Sequence, residues 1–136
     1  MTISLIRSAL ETRLLSITPA MSTALENVPF TPASGVPYQR SNLLPNTPDD
    51  GQMASSVYFE KGIFQVMICF PIGTGPGAAE ARAQLVKNAF KRGTTLVQSG
   101  VTVIIMNQPS VASAMIEEDR FCIPISVRYQ SQLVAP

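Results

Sequence analysis

The residues of this chain that could do chemistry begin with a glycine-rich loop, Gly73-Thr74-Gly75-Pro76-Gly77. The loop follows an apolar run and precedes a helical pattern, where backbone N–H groups and the helix dipole favour phosphate. A P-loop needs a lysine followed by serine or threonine at the helix start, but here the loop is followed by Ala78-Ala79-Glu80, which brings a carboxylate to that place instead. The dinucleotide fingerprint also fails, because its third glycine comes one position early and Pro76 lacks a donor. The loop therefore indicates a strand-to-helix turn rather than a nucleotide site.

The absence of histidine from the whole sequence removes most hydrolytic mechanisms. Without an imidazole the chain has no Ser-His or Cys-His nucleophile system and no histidine ligand for a metal. Carboxylates are concentrated at Asp49 and Asp50 and at residues 117–119, both within segments that we expect to be solvated loops. Solvated surface charge therefore explains both sets better than a catalytic role does. We therefore predict that the chain is not an enzyme and has no catalytic residue, cofactor or metal site.

The two cysteines, Cys69 and Cys122, lie in apolar, strand-like runs without a neighbouring cysteine or histidine. In a reducing compartment they are expected to behave as small buried hydrophobic residues. A disulfide between them would require adjacent strands in a suitable register.

Charge and composition limit the partners of this chain. The formal net charge of +1 does not favour nucleic-acid binding, which needs a dense basic face. Hydrophobic residues make up 46% of the sequence and charged residues 14%, so we expect a folded chain that hides part of its surface in an oligomer. With 136 residues and no apolar run near 18 positions, we predict one domain over residues 1–136 and no membrane partner. No secretion signal is visible, which favours synthesis in the cytoplasm.

Two segments have the three-to-four-residue spacing of apolar side chains that is typical of amphipathic helices, Ser4 to Ile17 and Ala78 to Arg92. In the second segment Glu80 lies near the N-terminus and Lys91 near the C-terminus, which complements the helix dipole. Gly93 is expected to cap that helix.

Alternating side chains predict strands over much of the remaining sequence. Ser56 to Phe70 is the strongest, because both of its faces are apolar, and this places it centrally in a sheet with Gly62 at a bulge or bend. Thr94 to Gln98 and Val101 to Met106 form one interrupted strand or a hairpin. Pro124 indicates an edge or bulged position in the last strand. The other predicted strands are Thr23 to Val28, Tyr38 to Leu44 and Arg120 to Gln130.

Three segments are expected to be exposed. Alternation along Tyr38 to Leu44 places Tyr38, Arg40, Asn42 and Leu44 on one side of a strand. Neither side is clearly apolar, which indicates a strand at the surface. Pro45 to Ser55 and Asn107 to Asp119 are predicted to be long loops, the first of them poorly ordered in isolation. The resulting order, α-β-β-β-α-β-β, predicts an α+β domain with a mainly antiparallel mixed sheet of about five strands and two helices on one face.

A motif over Leu25 to Arg40, which reads Leu-Glu-Asn-Val-Pro-Phe-Thr-Pro-Ala-Ser-Gly-Val-Pro-Tyr-Gln-Arg, resembles the signature of phage tail-terminator-like proteins. In that family an apolar strand carries the Glu-Asn-Val-Pro-Phe-Thr-Pro stretch, a Pro/Gly turn follows, and a second strand opens with Pro-Tyr. A second block agrees with the family, namely Gly62 to Val66, an apolar strand ending at Pro71, the glycine-rich loop and a helix closing in Phe90 and Gly93.

The resemblance implies a structural protein of virion assembly that caps the phage tail tube, ends its polymerisation and offers a surface for head joining. Its implied partners are further copies of itself, usually six in a ring, the tail tube protein and a head-completion or connector protein. Its implied location is the host bacterial cytoplasm during assembly and then the virion tail. The candidate interface residues are Tyr38, Arg40, Asn42, Leu44, Asp49, Asp50, Met53, Val111, Met115, Glu117 and Glu118.

Two alternatives remain open from the sequence. Another head-tail connector or minor tail subunit would share the fold but bind elsewhere in the virion. A small ligand-binding domain would instead use the loop from Gly73 to Gly77.

Overall fold

Two helices pack on one face of a mixed sheet in a computed structural model that describes residues 2–48, 56–73 and 75–134. The helices are α1 (Thr2–Leu15) and α2 (Gly77–Ala89). The strands are β1 (Ser22–Ala24), β2 (Tyr38–Pro45), β3 (Val57–Pro71), β4 (Thr95–Gln98), β5 (Val101–Ile105), β6 (Ser110–Val111), β7 (Met115–Glu117) and β8 (Arg120–Val134). The α+β class and the placement of both helices are confirmed. The described residues form eight strands rather than about five, however, because a hairpin and two short strands add to the predicted set.

The centre of the sheet is the antiparallel pair β3 and β8, each 15 residues long. They pair without interruption from Val57 opposite Val134 to Pro71 opposite Arg120. The strand order is β1-β2-β3-β8-β5-β4, and β6 and β7 also pair with β8. Only β1 and β2 are parallel among the described pairs. The predicted central position of β3 is therefore confirmed, and the sheet is mainly antiparallel.

Both helices bury their apolar stripes against the same face of this sheet. The rings of Phe64 in β3 and Phe90 after α2 lie 5.8 Å apart at the middle of the core. Burial of such side chains contributes roughly 1.5–3 kcal/mol each, which fixes the helices more firmly than their intrinsic propensity would. The fully buried side chains of this core include Ile6, Leu10, Leu14, Phe64, Val66, Ile68, Val86, Phe90, Val103, Ile125 and Val127.

The helix ends differ slightly from the predicted ones. α1 ends at Leu15 rather than Ile17, and α2 runs from Gly77 to Ala89 with Phe90 as its C-cap. Gly93, expected as the cap, has a φ of 88° three residues later, where its N–H donates to the carbonyl of Ile105. It therefore turns the chain towards β5. Within the described residues, neither helix has the length and apolar character needed to cross a membrane.

The prediction of an exposed strand from Tyr38 to Leu44 is wrong. β2 lies between β1 and β3, and Tyr38, Gln39, Ser41 and Leu43 are buried. The polar Gln39 and Ser41 face the helices in register with Ile68 and Val66. Gln39 is accommodated because its amide donates to the Thr23 hydroxyl at 2.9 Å, so burial does not leave this donor unpaired.

Two expected bulges are not bulges. Gly62 pairs in regular register with Tyr129, and an added Cβ there would lie 2.6 Å from Tyr129 Oη and 2.5 Å from the Leu44 carbonyl oxygen. The glycine is needed for close packing. Pro124 lies in central β8 opposite Met67, and its carbonyl accepts from the N–H of Ala112. The N–H and C=O of one strand residue point to the same side, so the Pro124 nitrogen faces the same side as its carbonyl. On that side lies the gap between β6 and β7, and the absence of an N–H there removes no hydrogen bond of a strand pair.

The turn and loop predictions have mixed outcomes. Thr95–Gln98 and Val101–Ile105 form a hairpin rather than one strand, with Ser99 and Gly100 at φ values of 49° and 83°. The predicted loop from Asn107 to Asp119 contains β6 and β7. The strand predicted over Thr23 to Val28 is limited to Ser22–Ala24. Of the loop predicted over Pro45 to Ser55, residues 49–55 lie outside the described residues, and Pro45 belongs to β2.

Candidate interface on the open face of the sheet

The sheet face that points away from both helices carries most of the predicted interface residues that can be placed, and we call it the open face. Leu43 in β2 belongs to the helix-side core, so the alternate residues of β2 point to the open face. These alternate residues are Tyr38, Arg40, Asn42 and Leu44. The expectation that these four side chains share one side of a strand agrees with this arrangement, although Tyr38 is buried.

The remaining predicted interface residues separate into three groups. Met115 and Glu117 in β7 stand opposite Cys122 and Arg120, which places them on the open face, and Glu118 lies in the turn that follows. Val111 stands opposite Ile125, a core residue, and therefore lies on the helix side. Asp49, Asp50 and Met53 lie outside the described residues.

One end of the open face contains a cavity of about 520 Å³, and predicted interface residues of β2 and β7, which flank the central strand pair, both line it. β2 and β7 are separated by β3 and β8, which corresponds to about 14 Å between the two outer strands. The cavity spans this distance. Its lining residues are Pro32, Ser34, Tyr38, Arg40, Glu117, Glu118, Asp119 and Arg120.

Arg120 organises this cavity, and the sequence reasoning did not identify it. Its side chain is 5% exposed and donates to the carbonyls of Val36 and, at 2.6 Å, Ala33. The guanidinium lies 5.3 Å from the ring centroid of Tyr38. Charged donors to carbonyl groups contribute about 1.5–3 kcal/mol when they are not exposed. Arg120 therefore fixes the turn before β2 against the start of β8.

The other end of the open face contains a groove of about 450 Å³. Its apolar floor includes Leu44 and Met106, which are 48% and 40% exposed. Its positive charges are Lys61 in β3 and Arg128 in β8. We call this feature the basic groove, and its side-chain lining on the open face comes chiefly from Leu44, Lys61, Ile63, Met106 and Arg128. Sequence reasoning found only Leu44, because the other side chains converge through strand pairing between distant segments.

The glycine-rich loop does not have the lining of a phosphate site. Gly73 and Gly75 have φ values of 92° and 77°, as expected for a tight turn, and Pro76 precedes α2 without a side-chain cap. The described residues that line the neighbouring cavity are glycines, prolines, Ile72, Ile116 and Phe121. No cation contributes to this described lining, so the cavity offers no charge to balance a phosphate.

Cys69 and Cys122 stand opposite each other on β3 and β8 and form a disulfide. The expectation of two separate buried thiols is therefore wrong in this structure, because the strands supply the register that a disulfide requires. The Glu117 carboxylate lies within 4.8 Å of both sulfur atoms. Since these sulfur atoms are bonded to each other, they are not free to act as thiolate ligands in this structure.

The segment that joins β1 to β2 is fixed by Glu26 as well as by Arg120. Glu26 Oε1 accepts a hydrogen bond from Arg7 Nη1 at 2.7 Å and another from the backbone N–H of Leu43. Both bonds lower the pKa of the Glu26 carboxyl from its ordinary value, and the bond from Arg7 has the larger effect. Glu26 is the glutamate of the Leu25-to-Arg40 motif, so the motif has a structural role between α1 and β2.

Comparisons with known proteins agree with this architecture. One solved chain superposes with a TM-score of 0.78 at 28% identity, covering 100% of this chain and 99% of that one. A chain from the virion of a native gene transfer agent particle superposes with a TM-score of 0.67, covering 97% of this chain and 98% of that one. The two sequences are 18% identical, so this superposition shows a shared fold alone. No curated protein matches the sequence.

The family comparison covers nearly the whole molecule. The model of the phage tail terminator protein family matches residues 5–129, from α1 through Tyr129 in β8. The matched range includes the Leu25-to-Arg40 motif, both ends of the open face and every buried residue of the helix-side core. This is a family of structural proteins rather than enzymes. The chain therefore belongs to the phage tail terminator protein family.

Proposed function

We propose that this protein caps the phage tail tube, ends its polymerisation and provides the surface to which the head-side part joins. The family match over residues 5–129 is the observation that carries the proposal. The working form is a closed ring of identical copies, six in number, around the tail channel. Assembly takes place in the host bacterial cytoplasm, and the ring then remains in the virion tail.

The chemistry of the open face supports binding rather than catalysis. It combines exposed apolar side chains such as Leu44 and Met106 with a pair of cations at one end. The other end has the carboxylates of residues 117–119 beside Arg40 and Arg120. Protein interfaces are built from such apolar patches with a charged surround, and charge pairs set orientation and partner choice. We therefore assign the contacts between copies to the open face. The tube protein and the head-side part bind the two rims of the ring.

The test is tube length. The tube protein that this chain is proposed to cap is polymerised with and without it, and the lengths are measured in negative-stain images. We expect shorter tubes with extra density at one end when this chain is present. Native mass spectra of the chain alone and with tube ends give the number of copies.

A matched pair of variants connects the result to the open face. Arg40→Glu reverses an exposed charge on that face, and Lys91→Glu makes the same change just beyond the end of α2, on the helix side. We expect only the first to lengthen the tubes. Unchanged tube length with the wild-type chain would contradict the capping role, and binding to the head-side part without shortening would favour the connector alternative.

A further inference from the structure

Two oppositely charged features lie on the same sheet face at a distance that no single copy can bridge. The acidic turn, residues 117–119, consists of the last residue of β7 and the two residues that lead to Arg120 in β8. The basic groove contains Arg128. Eight residues of extended strand separate Arg120 from Arg128, which corresponds to about 26 Å. An attraction between these two features can therefore be satisfied only between molecules.

The acidic turn is available for such a contact. Glu117, Glu118 and Asp119 are all exposed, and the carboxylates of the first two make no hydrogen bond or ion pair with a described residue. Asp119 stands 3.8 Å from Arg120, whose other donors are directed at Ala33 and Val36. Glu118 also adopts a left-handed φ of 54°, which is uncommon for a residue with a side chain and costs about 1 kcal/mol. The fold therefore holds a carboxylate at the apex of the turn.

The basic groove has the complementary character. The Arg128 side chain is exposed and makes no hydrogen bond or ion pair with a described residue. Lys61 adds a second cation, and Leu44 and Met106 supply apolar surface. Met115, which precedes the acidic turn on the same face, is 43% exposed and offers an apolar group of matching size. Both the charges and the apolar surfaces are thus complementary between the two ends.

We infer that neighbouring copies dock with the acidic turn of one copy in the basic groove of the next. The inference rests on the proposed function, because it names the contact that closes the ring. A contact between two different surfaces of one chain is heterologous, and heterologous contacts form closed rings when the rotation between copies allows closure. Repetition of one contact therefore accounts for both assembly and polarity.

Charge reversal tests this contact. Arg128→Glu places a carboxylate in the groove opposite Glu118 of the neighbouring copy, and Glu118→Lys places an ammonium group in the turn opposite Arg128. We expect each variant to need at least about tenfold more protein than the wild-type chain for half-assembly, because like charges then face each other. Lys91→Glu, at an exposed position beyond α2, is the matched control and should assemble like the wild-type chain. Melting curves verify that all three variants remain folded.

Mixing the two reversed variants gives the decisive measurement. The unchanged turn of Arg128→Glu fits the unchanged groove of Glu118→Lys, whereas the lysine introduced by Glu118→Lys faces the carboxylate introduced by Arg128→Glu. An equimolar mixture should therefore assemble into alternating rings that contain equal numbers of both variants. Native mass spectrometry resolves this composition directly. The double variant Glu118→Lys/Arg128→Glu should assemble on its own for the same reason.

The outcomes separate this inference from the proposed function. If both single variants form rings as readily as the wild-type chain, or if their mixture does not recover assembly, the docking contact is overturned and the capping role stays intact. If an acidic segment of the tube protein occupies the groove instead, both single variants still form rings, and Arg128→Glu binds the tube more weakly than the wild-type chain does. A wild-type chain that forms no ring alone or on tube ends would overturn both proposals.

Discussion

The Glu26 carboxylate accepts a hydrogen bond from the backbone N–H of Leu43, beyond the point where β1 stops covering the outer edge of β2. β1 pairs only with residues 38–40 of β2, so the remaining edge would otherwise present free donors to another strand. Glu26 occupies one donor, and Pro45 carries none. Because Arg7 in α1 donates to the same carboxylate oxygen at 2.7 Å, α1 also holds the Glu26 side chain over this edge of β2.

Glu26→Gln should make stability less dependent on pH. Hydrogen bonds from Arg7 and Leu43 lower the pKa of Glu26, so the folded carboxyl titrates below its unfolded value of 4.5. The ionised form therefore stabilises the fold above pH 4.5, and this contribution disappears as the pH falls through the folded value. We expect the variant to lose about 1 kcal/mol at pH 7 and much less at pH 3.5, measured by urea unfolding.

The neighbouring Glu11 changes stability with pH in the opposite direction from Glu26, because burial raises the pKa of Glu11. The acid response of the wild-type chain is therefore a sum, and the difference between variant and wild type isolates Glu26. Glu118→Gln is the control, since its carboxylate has no hydrogen bond to a described residue. A loss for Glu26→Gln that is equally large at both pH values would contradict the role of its charge.

Gly62→Ala should destabilise the sheet by about 1–3 kcal/mol, because the new Cβ meets Tyr129 Oη at 2.6 Å and the Leu44 carbonyl oxygen at 2.5 Å. Tyr129→Phe should be neutral or stabilising, since this hydroxyl is buried with no hydrogen-bond partner among the described residues. The same burial, with the nearby charge of Glu60, raises the pKa of Tyr129 to about 12.

The double variant tests the steric explanation. Gly62→Ala should cost less in the Tyr129→Phe background than in the wild-type chain, with a coupling of at least about 0.5 kcal/mol in urea unfolding. Gly77→Ala is the matched control, since an added Cβ there has nothing within 4 Å. Strict additivity would show that the Tyr129 hydroxyl does not restrict residue 62.

Reduction of the Cys69–Cys122 disulfide should lower the stability of the chain. The bond closes a sequence separation of 53 residues, and a loop of this length corresponds to about 4 kcal/mol in the chain-entropy description, with typical measured values of 2–4 kcal/mol. We therefore expect a lower melting temperature in dithiothreitol, measured by circular dichroism. Cys69→Ala/Cys122→Ala should melt like the reduced chain and be insensitive to reductant. A wild-type melting curve that does not respond to complete reduction would contradict this stabilisation.

Arg120→Met should loosen the turn before β2 while keeping most of the apolar volume. The variant loses the charged donors to Ala33 and Val36, so we expect a loss of about 2 kcal/mol in urea unfolding. Amide hydrogen exchange at Val36, whose N–H donates to the Ala33 carbonyl, should accelerate more than exchange in the core strands. Arg92→Met, at an exposed position after α2, is the control and should change stability by less than about 0.5 kcal/mol. Unchanged exchange at Val36 would count against the anchoring role.

Local chemistry was sufficient to predict the two helices, the central strand β3 and, as one of two alternatives, the hairpin between Thr94 and Met106. Apolar spacing and residues that tolerate positive φ act within a few positions, so a single sequence displays them. β2 was misjudged because Gln39 and Ser41 are polar yet buried. The partner of the Gln39 amide, Thr23, lies 16 residues away, and no local pattern reveals such a bond.

The candidate site was predictable along single strands but not across them. Alternation placed Arg40, Asn42 and Leu44 on one side of β2, as the structure also does. The basic groove depends on pairing of Ile63 with Arg128, residues 65 positions apart, and on the approach of Met106 from the far side of β8. A one-residue shift of β8 would move every one of its side chains to the other face, so this site exists only in the final register.

The pairing of β3 with β8 also affects how the protein is made. Val57 must meet Val134, and even the nearest pair, Pro71 with Arg120, is separated by nearly fifty residues. During translation, β3 therefore leaves the ribosome with both of its apolar faces uncovered and must wait for β8, while α2 and the β4–β5 hairpin can already fold locally. Copies that are still being synthesised lack the strand that carries Arg128, so only a finished molecule can present both ends of the open face to a neighbour.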